Sequence, residues 1–244
     1  QLLPLVSKLD TAEWVKTCMN WKKRYPLTYP KQGGLRMQHI VHTLWEITQG
    51  KAVVTSDVGQ HQMWVAQFFK TDYPRQLHNS GGAGTMGFGF PGAIGAAFGN
   101  KTGWPVCCFA GDGGFQMTMA EMATACIHKL PIKIFVMDNK YLGMVRQWQD
   151  LFYDKRYSAV DMVGNPDFVK FAEAYGALGL RIKRPADAER IIRKALEYND
   201  GPVLIHCECE KEDNVFPMIP AGAPISSMIT EPPKTQLEKP TGST

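Results

Sequence analysis

Gly111-Asp112-Gly113-Gly114 follows one apolar run, residues 105–110, and Asp138-Asn139-Lys140-Tyr141-Leu142-Gly143-Met144 follows a second, Ile132-Lys133-Ile134-Phe135-Val136-Met137. Cys107–Phe109 and Ile134–Val136 are apolar continuously rather than alternately, as strands covered on both faces should be. Between the runs, residues 118–128 carry a helix-like pattern. Strands alternating with helices imply crossover connections and a parallel sheet. The expected fold is therefore α/β, a doubly wound, mostly parallel sheet with helices on both faces, and ligands then belong at the carboxyl ends of its strands. Asp112 and Asn139 both fall there.

Working outward, the same alternation continues. Residues 35–49 read as a helix closed by Gly50 as a left-handed cap, 52–56 as a strand, 60–69 as a helix and 75–79 as a strand. A glycine-rich loop at 81–89 precedes a helix with Pro91 in its first turn, running to about residue 98. After the central pair come helix 145–152, helix 166–175, strand 178–182, helix 186–198 and strand 203–207. No internal repeat is seen. Residues 1–34 hold one amphipathic helix with Asp10 as N-cap, an apolar side of Trp14, Val15, Cys18, Met19 and Trp21, and a stop at Tyr25-Pro26. They read as the tail of a preceding domain and a linker, residues 35–210 as the main domain, and 211–244 as a C-terminal tail. The last thirty residues are Pro-rich and read as crossing the surface, with a disordered Pro-Thr-Gly-Ser-Thr end. A chain starting Gln1-Leu2-Leu3 without Met is expected to begin inside a longer polypeptide.

Composition removes several classes. The chain has 244 residues, 44% hydrophobic and 20% charged, as in a globular protein with a real core. A net charge of +4, with Lys22-Lys23-Arg24 the sole basic run, argues against nucleic-acid binding. That run reads as a solvated helix end. The six cysteines (Cys18, Cys107, Cys108, Cys126, Cys207, Cys209) contain no Cys-x-x-Cys pair and read as buried thiols in a reducing compartment. His206 beside Cys207 and Cys209 suggests a metal site, but one strand places the histidine on the face opposite both thiols. No apolar run approaches the roughly 20 residues that span a membrane, and no secretory signal pattern is present.

Chemistry concentrates at the two strand ends. Asp-Gly alone is a common turn dipeptide, but an acid and an amide just past consecutive strands suit a hard cation such as Mg²⁺, which takes oxygen ligands and keeps a substrate's phosphate oxygens in its shell. Gly113 and Gly114 bare the backbone where amide hydrogens would face an anion. Gly82-Ala83-Gly84-Thr85-Met86-Gly87 satisfies the dinucleotide pattern G-x-G-x-x-G. Gly89 and Pro91 delay the helix, however, and no acidic residue ends a following strand at the usual distance, so NAD binding is a poor reading of it.

Gly111-Asp112-Gly113 followed by Asn139 at this spacing resembles the thiamine-diphosphate signature of a large enzyme superfamily. Three further stretches narrow it: Asp57-Val58-Gly59-Gln60-His61-Gln62-Met63-Trp64, Ser80-Gly81-Gly82-Ala83-Gly84-Thr85-Met86-Gly87 and Gly143-Met144-Val145-Arg146-Gln147-Trp148-Gln149. With Leu151-Phe152-Tyr153, Arg156-Tyr157-Ser158 and Pro217-Met218-Ile219-Pro220, they closely resemble the large catalytic subunit of the acetohydroxyacid (acetolactate) synthase family over residues 1–225.

The resemblance implies thiamine diphosphate and Mg²⁺ as cofactors, with FAD in the complete enzyme. Asp112 and Asn139 would ligate Mg²⁺ through side chains and Tyr141 through its carbonyl. Gln60, His61, Gly113, Gly114, Leu142 and Gly143 would line the diphosphate. Gly84 would offer its carbonyl to the aminopyrimidine, Met86 would wedge beneath the bent cofactor, and Met144 would flank the thiazolium. Trp148 would border the pocket of the second ketoacid; core packing is the competing reading for Met86 and Trp148. The implied reaction joins pyruvate to pyruvate or 2-ketobutyrate with loss of CO₂, in branched-chain amino-acid biosynthesis. Implied partners are the missing N-terminal and middle domains, a homodimer or tetramer and a regulatory subunit. The implied location is the cytoplasm in bacteria, and the chloroplast or mitochondrion in eukaryotes. The glutamate that the family sets against the pyrimidine belongs to a domain donated by a partner subunit. Glu121 reads as helix packing or surface and does not replace it, so this chain alone is expected to bind cofactor weakly and not to turn over. Another thiamine-dependent decarboxylase or oxidase, or a non-catalytic module keeping the fold, remains the alternative.

Overall fold

The computed structural model describes residues 3–5 and 9–232. They fall into two compact units, divided between Gln32 and Gly33. In the first, a short 3-10 turn at Leu3–Leu5 precedes helix α1, Ala12–Arg24. Thr11 occupies the cap position, one residue later than expected, and Asp10 assists by accepting a hydrogen bond from the Ala12 N–H at 3.0 Å. Trp14 and Trp21 meet edge to face on its apolar side. Lys22, Lys23 and Arg24 end the helix in solvent, where their charge opposes the negative end of its dipole.

The second unit is built on six strands. In chain order its elements begin with α2 (Met37–Thr48), β1 (Val53–Ser56), α3 (Gln60–Phe68), β2 (Leu77–Asn79), α4 (Gly89–Gly99) and β3 (Val106–Gly111). There follow α5 (Asp112–Thr118), a 3-10 turn at Met119–Glu121, α6 (Met122–Ile127), β4 (Lys133–Asp138) and α7 (Gly143–Phe152). The last are α8 (Phe168–Ala174), β5 (Leu178–Ile182), α9 (Pro185–Glu197) and β6 (Val203–Glu208). The strand order is β2-β1-β3-β4-β6-β5, and every pairing is parallel. The chain moves outward from β1 to β2, then returns across β1 to β3. That reversal opens a crevice between the carboxyl ends of β1 and β3, where ligands settle in such sheets.

Alternate residues of each strand serve opposite faces. Val53, Cys108, Ala110, Ile134, Val136 and Leu204 join Phe90, Phe115, Met122 and Phe168 in one buried cluster beneath α4, α5, α6 and α8. Phe115 is its hub, with ring centroids 5.6 Å from Phe90, 5.8 Å from Phe168 and 5.9 Å from Phe171. On the other face Phe109 and Phe135 stack at 5.0 Å, with α2 packed against both α3 and α9. The expected doubly covered sheet is thus present, and it is wholly parallel.

Four local expectations change. The helix read at 118–128 begins at Asp112 and is broken by the 3-10 turn Met119–Glu121, so Gly-Asp-Gly is no free turn: Gly111 closes β3 and Asp112 opens α5. The strand read at 75–79 shortens to Leu77–Asn79, because Arg75 adopts a left-handed φ of 61°. Gln49 (φ 52°) precedes Gly50 in the left-handed region, so the helix signal of α2 ended one residue too late. The tail is not wholly superficial: Val215 is fully buried, held by Gln147 of α7. The disorder read for the last five residues lies outside the described residues.

All six cysteines are free thiols; Cys107, Cys108 and Cys207 are buried and the other three half-buried. Burial pushes the Cys107 thiol up to about 12. Among the described residues no helix is long and apolar enough to cross a membrane, and no cluster of three metal-binding side chains of the His, Cys, Asp or Glu types occurs. Because Phe115 is the ring on which three others converge, Phe115→Ala should cost about 3–5 kcal/mol, read by urea denaturation of the chain.

Candidate cofactor site

Three helices start around one pocket: α3 at Gln60, α5 at Asp112 and α7 at Gly143. The pocket is about 190 Å³. Unpaired main-chain N–H groups and the positive ends of helix dipoles make such a convergence receptive to an anion. Side chains of Met37, Met86, Leu142, Met144 and Val145 supply an apolar wall. Gly113 keeps that wall close: a Cβ there would lie 2.7 Å from Leu142 Cδ2 and 3.1 Å from Met86 Cε.

His61 lies at the mouth of α3, buried, and its Nε2 has no hydrogen-bond partner. Burial lowers its pKa from 6.5 to about 4, against the opposing charge and main-chain hydrogen bond of Asp57. It is a neutral imidazole with an orphaned polar atom lining an anion-sized hollow, which is what a bound phosphate group would satisfy. Its position depends on Gly59, whose φ of 149° favours glycine and whose added Cβ would come 3.1 Å from the His61 ring.

Asp57, fully buried at the end of β1, was read only as part of a motif. Its Oδ1 accepts the N–H groups of Val58 (2.7 Å) and Gly87 (2.9 Å), and its Oδ2 accepts that of Gly89 (2.7 Å). One carboxylate thereby stitches the glycine-rich loop and the start of α4 to the sheet, placing Met86 over the pocket. A buried acid before a Val-Gly pair gives no signal of this, because two of its partners, the N–H groups of Gly87 and Gly89, lie 30 and 32 residues away.

Asp112 and Asp138 lie at the ends of neighbouring strands, both almost fully buried. Asp112 Oδ1 accepts the Gly113 N–H at 3.0 Å and Oδ2 accepts Asn165 Nδ2 at 2.6 Å. Burial pushes its pKa up to about 7; the Asn165 hydrogen bond works downward and the Asp138 charge upward. Burial also works to raise Asp138, but hydrogen bonds from His206 and Lys140 outweigh it and hold that carboxyl below the usual range. His206 Nε2 sits 2.7 Å from Asp138 Oδ2, and an ionised carboxylate accepts only, so Nε2 carries the proton. His206 Nε2 is therefore committed to Asp138.

Asn139 is oriented by a chain of amides. Gln147 Nε2 donates to the Val215 carbonyl (2.9 Å), and its Oε1 accepts the Val215 N–H (2.8 Å). That Oε1 also accepts Gln60 Nε2 (2.9 Å), which donates as well to the Asp213 carbonyl (2.8 Å). Gln60 Oε1 must then face Asn139 Nδ2, at 3.3 Å, and Asn139 Oδ1 is left facing the loop, 3.3 Å from the Tyr141 N–H. Main-chain groups at 213 and 215 thus settle the orientation of the Asn139 amide beside the pocket. Gln60 lines the pocket, but both its amide hydrogens are spent on this chain. Gln147 is not singled out by sequence: one glutamine on an amphipathic helix, beside a tail that reads as superficial, carries no cue.

Of the residues nominated from sequence, Gln60, His61, Met86, Asp112, Gly113, Gly114, Asn139, Tyr141, Leu142, Gly143 and Met144 all border this pocket. Gly84 does not. It is exposed on the glycine-rich loop with φ 62°, its N–H donated to the Ser80 carbonyl at 2.8 Å. Trp148 faces a separate hollow of about 420 Å³ with Val145, Gln149, Tyr153 and Arg156. At 47% exposure it is no core residue, and Met86 is half-buried at the pocket. Glu121 is exposed on the 3-10 turn, at the surface rather than in packing.

A donor set of one acid, one oriented amide oxygen and main-chain groups beside a glycine-lined hollow is chemistry for a cation-bound diphosphate. The chain belongs to the thiamine pyrophosphate enzyme family: residues 57–207 match its C-terminal TPP binding domain. Among individual proteins it is similar to the acetolactate synthase large subunit of Haemophilus influenzae, 38% identical over 95% of this chain and 40% of that protein. It is likewise similar to an acetolactate synthase of Mycobacterium bovis (44%, covering 88% of this chain and 35% of the relative). The isozyme 3 large subunit of Escherichia coli is 41% identical over 90% of this chain and 38% of its own. The chain thus spans well under half the length of these curated relatives.

Two predictions follow from the geometry. Gln147→Leu leaves both main-chain groups of Val215 unpaired, and should cost about 2–3 kcal/mol in urea denaturation while freeing Asn139 to flip. In metal-free protein Asp112 and His61 bend the stability curve in opposite directions. Asp112 keeps its proton when folded, so its contribution falls as pH rises from 3.8 to about 7. His61 stays neutral when folded, so its contribution grows as pH rises from about 4 to 6.5. Asp112→Asn in EDTA should uncover the histidine slope, a gain of about 3 kcal/mol across that interval.

Proposed function

We propose that this chain is the cofactor-binding part of an acetohydroxyacid synthase, which condenses pyruvate with a second 2-ketoacid, pyruvate or 2-ketobutyrate, and releases CO₂. The observation that carries it is the meeting of three helix starts, an orphaned His61 Nε2 and an oriented Asn139 oxygen around one pocket. The residues fit thiamine diphosphate with Mg²⁺. Asp112, Asn139 and the Tyr141 carbonyl would hold the cation, and the N–H groups of Gly113, Gly114 and Gly143 with His61 would hold the diphosphate. When bound, thiamine diphosphate supplies the electron sink for breaking and making bonds beside a ketone.

The chain's own side chains set the conditions for that chemistry. Burial keeps His61 uncharged, so it would give a hydrogen bond to a phosphate oxygen without competing with the cation for charge. A cation at Asp112 would draw off the proton that burial favours there, making the carboxylate a full negative ligand. Met86, Leu142 and Met144 line the pocket with apolar surface, which would strengthen charge interactions inside it once water is displaced. Val145 borders both hollows, so Trp148 and Arg156 stand where a second substrate could approach, Arg156 offering a fork for its carboxylate. By the same resemblance the complete enzyme would carry FAD, assemble as a homodimer or tetramer, and take a regulatory subunit. The acid that works on the pyrimidine would come from a domain outside this chain.

Titration of thiamine diphosphate into the full-length protein, followed calorimetrically with and without Mg²⁺, tests the reading. Binding should vanish in EDTA and fall at least tenfold in Asp112→Asn, whereas nucleotide affinity that survives chelation would point to a nicotinamide enzyme instead. The complete protein should make acetolactate rather than acetaldehyde from pyruvate. The 244-residue chain alone should make neither, and acetolactate formed by it without any partner would refute the missing-domain argument.

A further inference from the structure

Asn165 lies outside every motif that points to the cofactor, yet it touches both buried acids. Its Nδ2 is 2.6 Å from Asp112 Oδ2 and 3.1 Å from Asp138 Oδ1. Its Oδ1 accepts Gln116 Nε2 at 2.9 Å, and that nitrogen is also 3.2 Å from the Asp112 carbonyl. Asp138, held by His206 and Lys140, is a carboxylate that can only accept, and Gln116 Nε2 donates, so the amide nitrogen must face the acids and the amide oxygen must face Gln116. Gln116 sits one turn into α5, and Asn165 immediately precedes the capped start of α8, where Asp167 accepts the N–H groups of Val169 and Lys170. The amide is therefore braced from two elements.

The two acids are supported unequally. Asp138 has His206 Nε2 and Lys140 Nζ at 2.7 and 2.6 Å, besides the Lys140 N–H at 3.1 Å. Asp112 has the Gly113 N–H and Asn165. Without Asn165 it would keep one main-chain donor and the repulsion of its neighbour. A lysine or arginine would brace it as well, but would cancel the charge that a cation needs. A neutral amide holds the carboxylate and leaves its charge whole.

We propose that Asn165 is a positioning residue for the divalent cation: by sharing one amide between Asp112 and Asp138, it fixes Asp112 in the orientation that receives the metal. This rests on the reading of Asp112 and Asn139 as the Mg²⁺ ligands. The readout is the Mg²⁺ concentration that gives half-maximal thiamine diphosphate binding to the full-length protein, measured by calorimetry beside the melting temperature of the metal-free form. Asn165→Ala should raise that concentration about tenfold, with the plateau restored by excess Mg²⁺ and the melting temperature little changed. A purely structural asparagine would lower the melting temperature and leave the Mg²⁺ requirement alone. If Asn165→Ala does not fold, Gln116→Met decides the matter: a several-fold rise supports the proposal and an unchanged requirement overturns it. An unchanged requirement in Asn165→Ala, with Asp112→Asn abolishing the Mg²⁺ effect, overturns the positioning role and leaves the ligand reading standing. Mg²⁺ dependence that survives Asp112→Asn overturns both.

Discussion

Two carboxylates buried side by side at the ends of adjacent parallel strands are the constraint around which this site is arranged. Charge without water is costly, so each acid must find donors or a cation. Asp138 finds them within the protein, in His206 and Lys140, and stays ionised. Asp112 finds fewer, and burial alone would hand it a proton near neutrality. The sheet thus presents one acid with charged donors and one with only neutral donors, and the latter borders the pocket. A divalent cation there would complete the electrostatic arrangement.

The surroundings are organised by polar groups that meet main chain rather than one another. Asp57 collects three N–H groups and thereby ties the glycine-rich loop to the crevice. Val215 and Asp213 settle the orientation of Gln147 and Gln60, and through them of Asn139. Main-chain donors and acceptors cannot be flipped, so they make firmer references than side chains do. Beneath them the aromatic cluster at Phe115 keeps α5, and with it Asp112, seated on the sheet. Rigidity at Asp112 and Asn139 is inherited from packing on one side and from backbone hydrogen bonds on the other.

Much of this was legible in order but not in depth. Continuous apolar runs marked β3 and β4 because strands covered on both faces need no polar alternation. Small polar residues just past them marked the carboxyl ends, where the parallel sheet gathers its ligands. The break after α5 was hidden, since Thr118–Ile127 has helical composition whether or not one 3-10 turn interrupts it. Trp148 looked like core by residue type alone, and only its place on the outer side of α7 shows it to be exposed. The tail from residue 211 looked superficial because its prolines deny it regular structure, yet irregular chain can be buried where side chains such as Gln147 satisfy its backbone.

By itself the sequence determined the α/β class, the parallel sheet, the strand ends that bear Asp112 and Asn139, and a motif set resembling one enzyme family. Those properties are local or periodic: they follow from which residues neighbour which along the chain. Tertiary structure alone decided that Asn165 braces Asp112, that Asp57 anchors a loop thirty residues downstream, and that main chain near the C-terminal end orients Asn139. Such contacts join residues far apart in sequence and obey distance and hydrogen-bond direction, neither of which is written in the order of side chains.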